Sequence, residues 1–133
     1  MKNDNLFGVL EFARSWNNLD VTFISNILDE NCIYESQWVL LPLYGRDNII
    51  KYLTAKFLNI KATWGDETII ISAEIATHPN FDNAPMIVLT QVTNELTRKV
   101  SILIQTKNKK ITRIDICFLP DPLMANLTGN IPT

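Results

Sequence analysis

Two cysteines in 133 residues are too few for a disulfide scaffold or a zinc ribbon. Cys32 and Cys117 lie far apart in the chain, with no C-x-x-C pair and no histidine beside either. Both fall inside apolar, strand-like patterns, which suits buried, reduced thiols and a cytoplasmic location. His78 is the single histidine, so no two imidazoles can share a metal, and no metal or other cofactor is called for. Charge of one sign is also missing: twelve basic residues face fourteen acidic ones, a formal net charge of -2. Nucleic-acid binding needs a clustered positive surface, and the densest basic patches, Arg98-Lys99 and Lys107 to Lys110, read as hairpin turns. The opening Met-Lys-Asn-Asp-Asn holds no apolar signal core. No apolar run approaches the ~20 residues that span a bilayer, so no membrane role is expected.

What is present is ordinary globular material, 47% hydrophobic and 20% charged, without repeats, low-complexity segments or a linker. The length suits one domain over 1–133, with its core at about 4–119. Asp4 can cap a first helix to about Asn18, in which Leu6, Val9, Leu10, Ala13 and Trp16 form one stripe and Phe12 lies beside it. Gly8 weakens that helix or permits another element to come close. Asp20 is placed to cap a second helix with an apolar face of Phe23, Ile24, Ile27 and Leu28. Residues 32–38 alternate, with Cys32, Tyr34, Ser36 and Trp38 on one strand face and Ile33, Glu35 and Gln37 on the other. An apolar loop with Pro42 turns at Gly45 into a third helix. Its inner stripe is Ile49, Ile50, Leu53 and Phe57, with Tyr52 at the edge and Lys51 and Lys56 facing out.

From residue 67 the period becomes that of strands: 68–77, 86–96, 100–106 and 111–118. Thr97-Arg98-Lys99 and Asn108-Lys109 are the expected turns. Pro120 and Pro122 stop the last strand and leave a loosely held tail. The fold class is α+β, with three N-terminal helices packed on a curved, mainly antiparallel sheet. Ile69-Ile70-Ile71, Ile87-Val88-Leu89 and Ile102-Leu103-Ile104 are apolar on both strand faces. A sheet covered on one side should alternate instead, so the second face needs a cover, most simply a twofold partner.

The segments W-N-N-L-D, C-I-Y-E-S, P-L-Y-G-R-D-N-I-I-K-Y-L and K-K-I-T-R-I-D-I, in this order and spacing, resemble the nuclear transport factor 2-like superfamily. The likeness runs from about Phe7 to Phe118 and is nearest to the SnoaL-like polyketide cyclase and ketosteroid isomerase branch. It implies a cystatin-like cone with an internal pocket, and a homodimer through the sheet face. The fold hosts many chemistries, so it does not by itself supply a function. Ketosteroid isomerases work with an Asp base and an oxyanion hole of Tyr and a protonated Asp. Anchored on Asp20, the Tyr and base positions fall here on Phe12 and Ser36, and a count back from Ile111 puts the second Asp position on Ser101, which speaks against that chemistry. Limonene epoxide hydrolases of the superfamily use an Arg with two Asp residues. Here Arg113 and Asp115 share a face of the last strand, while Ile114, Ile116 and Phe118 take the pocket-lining face.

The residues expected to line the pocket are Phe12, Trp16, Tyr34, Ser36, Trp38, Tyr52, Phe57, Ser101, Ile114, Ile116 and Phe118. Tyr34 and Trp38 fit core packing and ligand contact equally, since their polar tips want partners when buried. Glu35 and His78 are the candidate catalytic acid-bases: Glu35 if strand register turns it inward, His78 if its loop folds over the mouth. The leading functional reading is a binder of a small hydrophobic molecule. One alternative is a SnoaL-like isomerase, cyclase or dehydratase using Glu35 or His78. The other is a dimeric association module without a ligand.

Overall fold

In the computed structural model, which describes residues 2–37, 41–62 and 69–133, two helices cover one face of a seven-stranded sheet. The elements are α1 (Lys2–Asn18), β1 (Leu28–Ser36), β2 (Leu43–Tyr44), α2 (Arg46–Ala62), β3 (Ile70–Thr77), β4 (Met86–Val92), β5 (Thr97–Lys107), β6 (Lys110–Cys117) and β7 (Asn126–Leu127). The sheet order is β2-β1-β6-β5-β4-β3-β7. All pairs are antiparallel except β1 with β6.

The α+β class stands, but the described helices are two rather than three. Asp20 does cap, its carboxylate accepting the Thr22 amide at 2.9 Å. The helix it starts is a single 3-10 turn, Val21–Phe23, and β1 has begun by Leu28. Val21, Thr22 and Ile24 are β-branched and lose rotamer freedom in a helix, which favours this early exit. The apolar loop holding Pro42 contributes β2, which pairs with Ile33 and Tyr34. Gly45 then takes φ +91 and donates its amide to the Cys32 carbonyl at 2.8 Å, turning the chain into α2. Asn108 and Lys109, at φ 53 and 62, make the β5–β6 turn. The β4–β5 turn comes earlier than Thr97, where the Thr93 amide bonds the Leu96 carbonyl.

Most of the core lies between the helices and the inner face of the sheet. Phe12, Trp16, Leu53 and Phe57 pack there against Ile87, Ile102, Ile104 and Ile114. Each such side chain, fully buried, contributes about 1.5–3 kcal/mol. Gly8 lets α1 sit directly on the sheet: a Cβ there would come within 2.6 Å of Thr106 Cγ2.

Part of the outer face is covered by the chain itself. Ala76, Met86 and Val88 are buried there with Phe81, Leu103 and Ala125. After β6 the segment from Phe118 crosses this face, adds β7 beside β3, and ends near α1, where Asn17 Nδ2 donates to the Pro132 carbonyl at 2.7 Å. The expectation of a loose tail is therefore corrected: the tail is a strap fixed by hydrogen bonds along its length. Met86 and Val88 are buried on this face, while Leu103 is only partly buried and Ile70 is 55% exposed.

Candidate functional site

Alternation along β1 sends Tyr34 and Ser36 to the inner face and Glu35 to the outer one. Tyr34 lies level with Ile114, and Ser36 with Ile116, on neighbouring β6. Opposite them α2 presents Ile49, Leu53 and Phe57 inward, with Tyr52 and Lys56 one turn apart on the adjoining flank. The Tyr34 and Tyr52 rings meet at 5.6 Å between centroids, and the Lys56 ammonium stands 5.9 Å from the Tyr52 centroid. A row of Lys56, Tyr52 and Tyr34 thus runs from the flank of α2 into the interior. Burial pushes both tyrosine hydroxyls up, for Tyr34 reinforced by Tyr52, so both stay protonated donors. Burial also pulls the Lys56 ammonium down. Lys56 had been expected to face solvent; its place one turn beyond Tyr52 was the available signal.

Deeper in, Trp16 of α1 packs edge-on against Phe57, with centroids 4.9 Å apart at 73°. Trp16 is fully buried, and its indole Nε1 is the one buried side-chain nitrogen or oxygen without a hydrogen-bond partner among the described residues. Buried donors of this kind are nearly always paired, by protein, water or ligand. Phe57 also lines a cleft of about 280 Å³ between α2 and the 19–21 turn, together with Leu19, Val21 and Thr54.

Six of the expected lining residues, Phe12, Trp16, Tyr34, Phe57, Ile114 and Ile116, lie buried in this one core. Ser36 and Tyr52 flank it, half-buried. Trp38 lies outside the described residues. Ser101 and Phe118 require correction. Ser101 pairs with Val88 and Cys117, which puts it on the outer face, where its hydroxyl donates to the Pro120 carbonyl at 2.6 Å. Phe118 follows the end of β6 and is 46% exposed.

The two candidate acid-bases also sit away from the interior. Glu35 is half-exposed and accepts from Arg113 Nη2 at 2.7 Å, while Arg113 grips Asp115 with two further bonds of 3.0 Å. These carboxylates, Asp115 first and Glu35 second, push the guanidinium up. His78 is buried under the strap. Its Nδ1 accepts the Asn80 amide at 3.0 Å, leaving Nε2 to donate to the Asp121 carbonyl at 3.1 Å. Both ring nitrogens are thus engaged in structure. Cys32 and Cys117 are free thiols, and burial pushes Cys32 up to about 12. Among the described residues no three His, Cys, Asp or Glu side chains gather as metal ligands, and no helix is long and apolar enough to cross a membrane.

Solved structures with this architecture are numerous. A nuclear transport factor 2-like protein of unknown function from Cytophaga hutchinsonii superposes with a TM-score of 0.55 at 17% identity, over 92% of this chain and 94% of the other. One from Mesorhizobium loti gives 0.60 at 9% identity, over 96% and 93%. The chain has the nuclear transport factor 2-like fold. An epoxide hydrolase of the limonene epoxide hydrolase-like type from Mycobacterium tuberculosis shares that fold, with a TM-score of 0.56 at 13% identity over 86% and 81%. No protein-family model matches the chain, and neither does any curated protein. The side of the sheet under the helices holds rings, two protonated tyrosines, a lysine and one unpaired indole N–H.

Proposed function

We propose that this nuclear transport factor 2-like chain binds a small, largely apolar molecule carrying a hydrogen-bond acceptor, between the helices and the inner face of the sheet. The observation that carries the reading is the Trp16 indole N–H, buried and without a partner among the described residues. An acceptor brought in by a ligand would satisfy it, at a gain set by the cost of leaving a buried donor unmade. The rings of Phe12, Phe57 and Tyr34 supply the apolar surroundings such sites use, and Tyr34 and Tyr52 supply further donors. Glu35 and His78 have no part in this reading, since an ion pair and the strap hold them on the opposite face. It is a binding function, with orientation set by donors rather than by a carboxylate.

The test follows the Trp16 indole resonance by ¹H–¹⁵N NMR during titration with cyclohexanone and, separately, with methylcyclohexane. The ketone is expected to move the indole proton downfield and the hydrocarbon to leave it in place. Trp16→Phe should weaken ketone binding roughly tenfold, the value of one charge-free donor in a dry site. An indole resonance unmoved by the ketone at saturation would refute the proposal.

A further inference from the structure

His78 holds two pieces of chain at once. It caps the turn Pro79–Phe81, its Nδ1 accepting the Asn80 amide at 3.0 Å, and its Nε2 donates to the Asp121 carbonyl of the strap at 3.1 Å. Both pieces cover the same apolar cluster: Phe81 from the turn and Ala125 from the strap pack on Ala76, Met86 and Val88. The ring between them is 1% exposed.

A backbone N–H can only donate, so the bond from Asn80 requires a lone pair on Nδ1 and the ring proton on Nε2. An imidazolium donates from both nitrogens. Protonation at Nδ1 would therefore aim one N–H at another, leave the Asn80 amide without its acceptor and set a charge in a buried ring. The ionisable side chains on the elements around the ring do little to offset this. They are Glu74 on β3, Asp82 after the turn, Lys99 on the same face of β5 and Asp121 on the strap, while β4 carries none. None of them bonds the imidazole; Glu74 and Asp121 are engaged by the Gly129 and Leu123 amides, at 2.9 Å each. Asp121 is exposed, so solvent screens its attraction. We propose that His78 is a proton-operated latch: neutral, it pins turn and strap over Met86 and Val88, and protonated, it releases them. The opening is local, because the Ser101 hydroxyl still holds Pro120 and the Thr128 hydroxyl still holds Ile75. The latch lies across the sheet from the proposed ligand site and stands or falls independently of it.

Amide exchange of the full chain by NMR, expressed as protection factors at about pH 7.5 and about pH 5.5, tests this across the range in which an imidazole changes charge. The opened chain takes up the proton at the ordinary value of about 6.5, so opening should become roughly tenfold more frequent at the lower pH. Protection of the Asn80, Met124 and Ala125 amides should fall by that factor, while β5 and β6 amides keep theirs. His78→Asn keeps an acceptor for the Asn80 amide and has no proton to gain, so its protection factors should not change between the two pH values. The ¹⁵N shifts of the wild-type ring should show a protonated Nε2 and a bare Nδ1 at the higher pH. Wild-type protection that is the same at both pH values overturns the proposal. So does an asparagine variant that loses protection as the wild type does, because carboxylates would then be the groups responsible.

Discussion

Asn17 serves Ala73 as a strand would. Its Oδ1 accepts the Ala73 amide at 2.7 Å and its Nδ2 donates to the Ala73 carbonyl at 2.9 Å. Ala73 lies on β3, near the edge of the sheet, where unpaired backbone groups invite another chain. Further along β3, Ile75 is paired by Thr128 and Asn130, and Thr77 by Asn126. The helix, through one side chain, finishes the edge that the strap begins. Asn17→Ala should cost about 1–3 kcal/mol in urea denaturation, the value of leaving such groups unpaired. Asn17→Asp should cost at least as much: it keeps an acceptor for the Ala73 amide but turns a carboxylate toward the carbonyls of Ala73 and Pro132. An aspartate variant as stable as wild type would contradict this account of the edge.

The contact of α1 with the sheet gives a second prediction. Gly8→Ala gains about 1 kcal/mol in helix propensity. Against that, the new methyl meets Thr106 Cγ2 at 2.6 Å, Ile111 at 3.1 Å and Ile104 at 3.2 Å, and overpacking of this kind costs about 1–3 kcal/mol. The net change should be a loss. Thr106→Ser removes the obstructing methyl but keeps the hydroxyl that donates to Asn5 at 2.8 Å. The double variant should therefore be more stable than the sum of the single changes, by at least ~0.5 kcal/mol. Strict additivity would mean that the helix simply moves away.

Glu35 gives a third. It is 48% exposed and shares Arg113 with Asp115, so its ion pair works through solvent. Glu35→Gln should cost only about 0.2–1 kcal/mol at low salt, and less at about 1 M NaCl. Cyclohexanone binding should not change, because the side chain lies on the far side of β1. A tenfold loss of binding would put Glu35 back in the site.

Period-two alternation placed Tyr34 inward and Glu35 outward, and Asn108-Lys109 read correctly as a turn, because both signals are local. The second helix was misread from a true cap: Asp20 starts a helical turn, but the β-branched residues after it do not sustain one. Ser101 was carried to the pocket by a count from Ile111; its place opposite Val88 depends on strand register, which only the paired sheet reveals. The strap was the least legible element. Its ties run from Ser101, His78 and Asn17 to main-chain carbonyls of Pro120, Asp121 and Pro132, and a carbonyl acceptor leaves no mark in a sequence. The unpaired Trp16 indole is likewise a property of packing, since the same tryptophan with a partner would read identically.

Buried hydroxyls and thiols should make the protein sensitive to alkali. Burial raises Cys32 from the ordinary thiol value of 9.0 to about 12, and raises Cys117, Tyr34 and Tyr52 as well. These acids are held neutral by the fold, so each contributes stability that is complete below its unfolded-state pKa and is lost as pH rises above it. Lys56 acts in the opposite sense. Its ammonium is pulled down from 10.5, so the unfolded chain holds that proton more tightly and stability from this group grows as pH rises toward that value. Four acids against one base leave a net loss. The melting temperature should be flat through neutral pH and fall from the thiol value upward, with tyrosinate absorbance in the native state lagging that of the unfolded chain. Tyr34→Phe keeps the ring and removes one of the four, so its alkaline limb should be shallower than that of wild type. Lys56→Met removes the opposing term and should make the limb steeper. A wild-type melting temperature that holds steady above the thiol value, or a Tyr34→Phe profile that superposes on it, would show that these hydroxyls and thiols meet water in the native state.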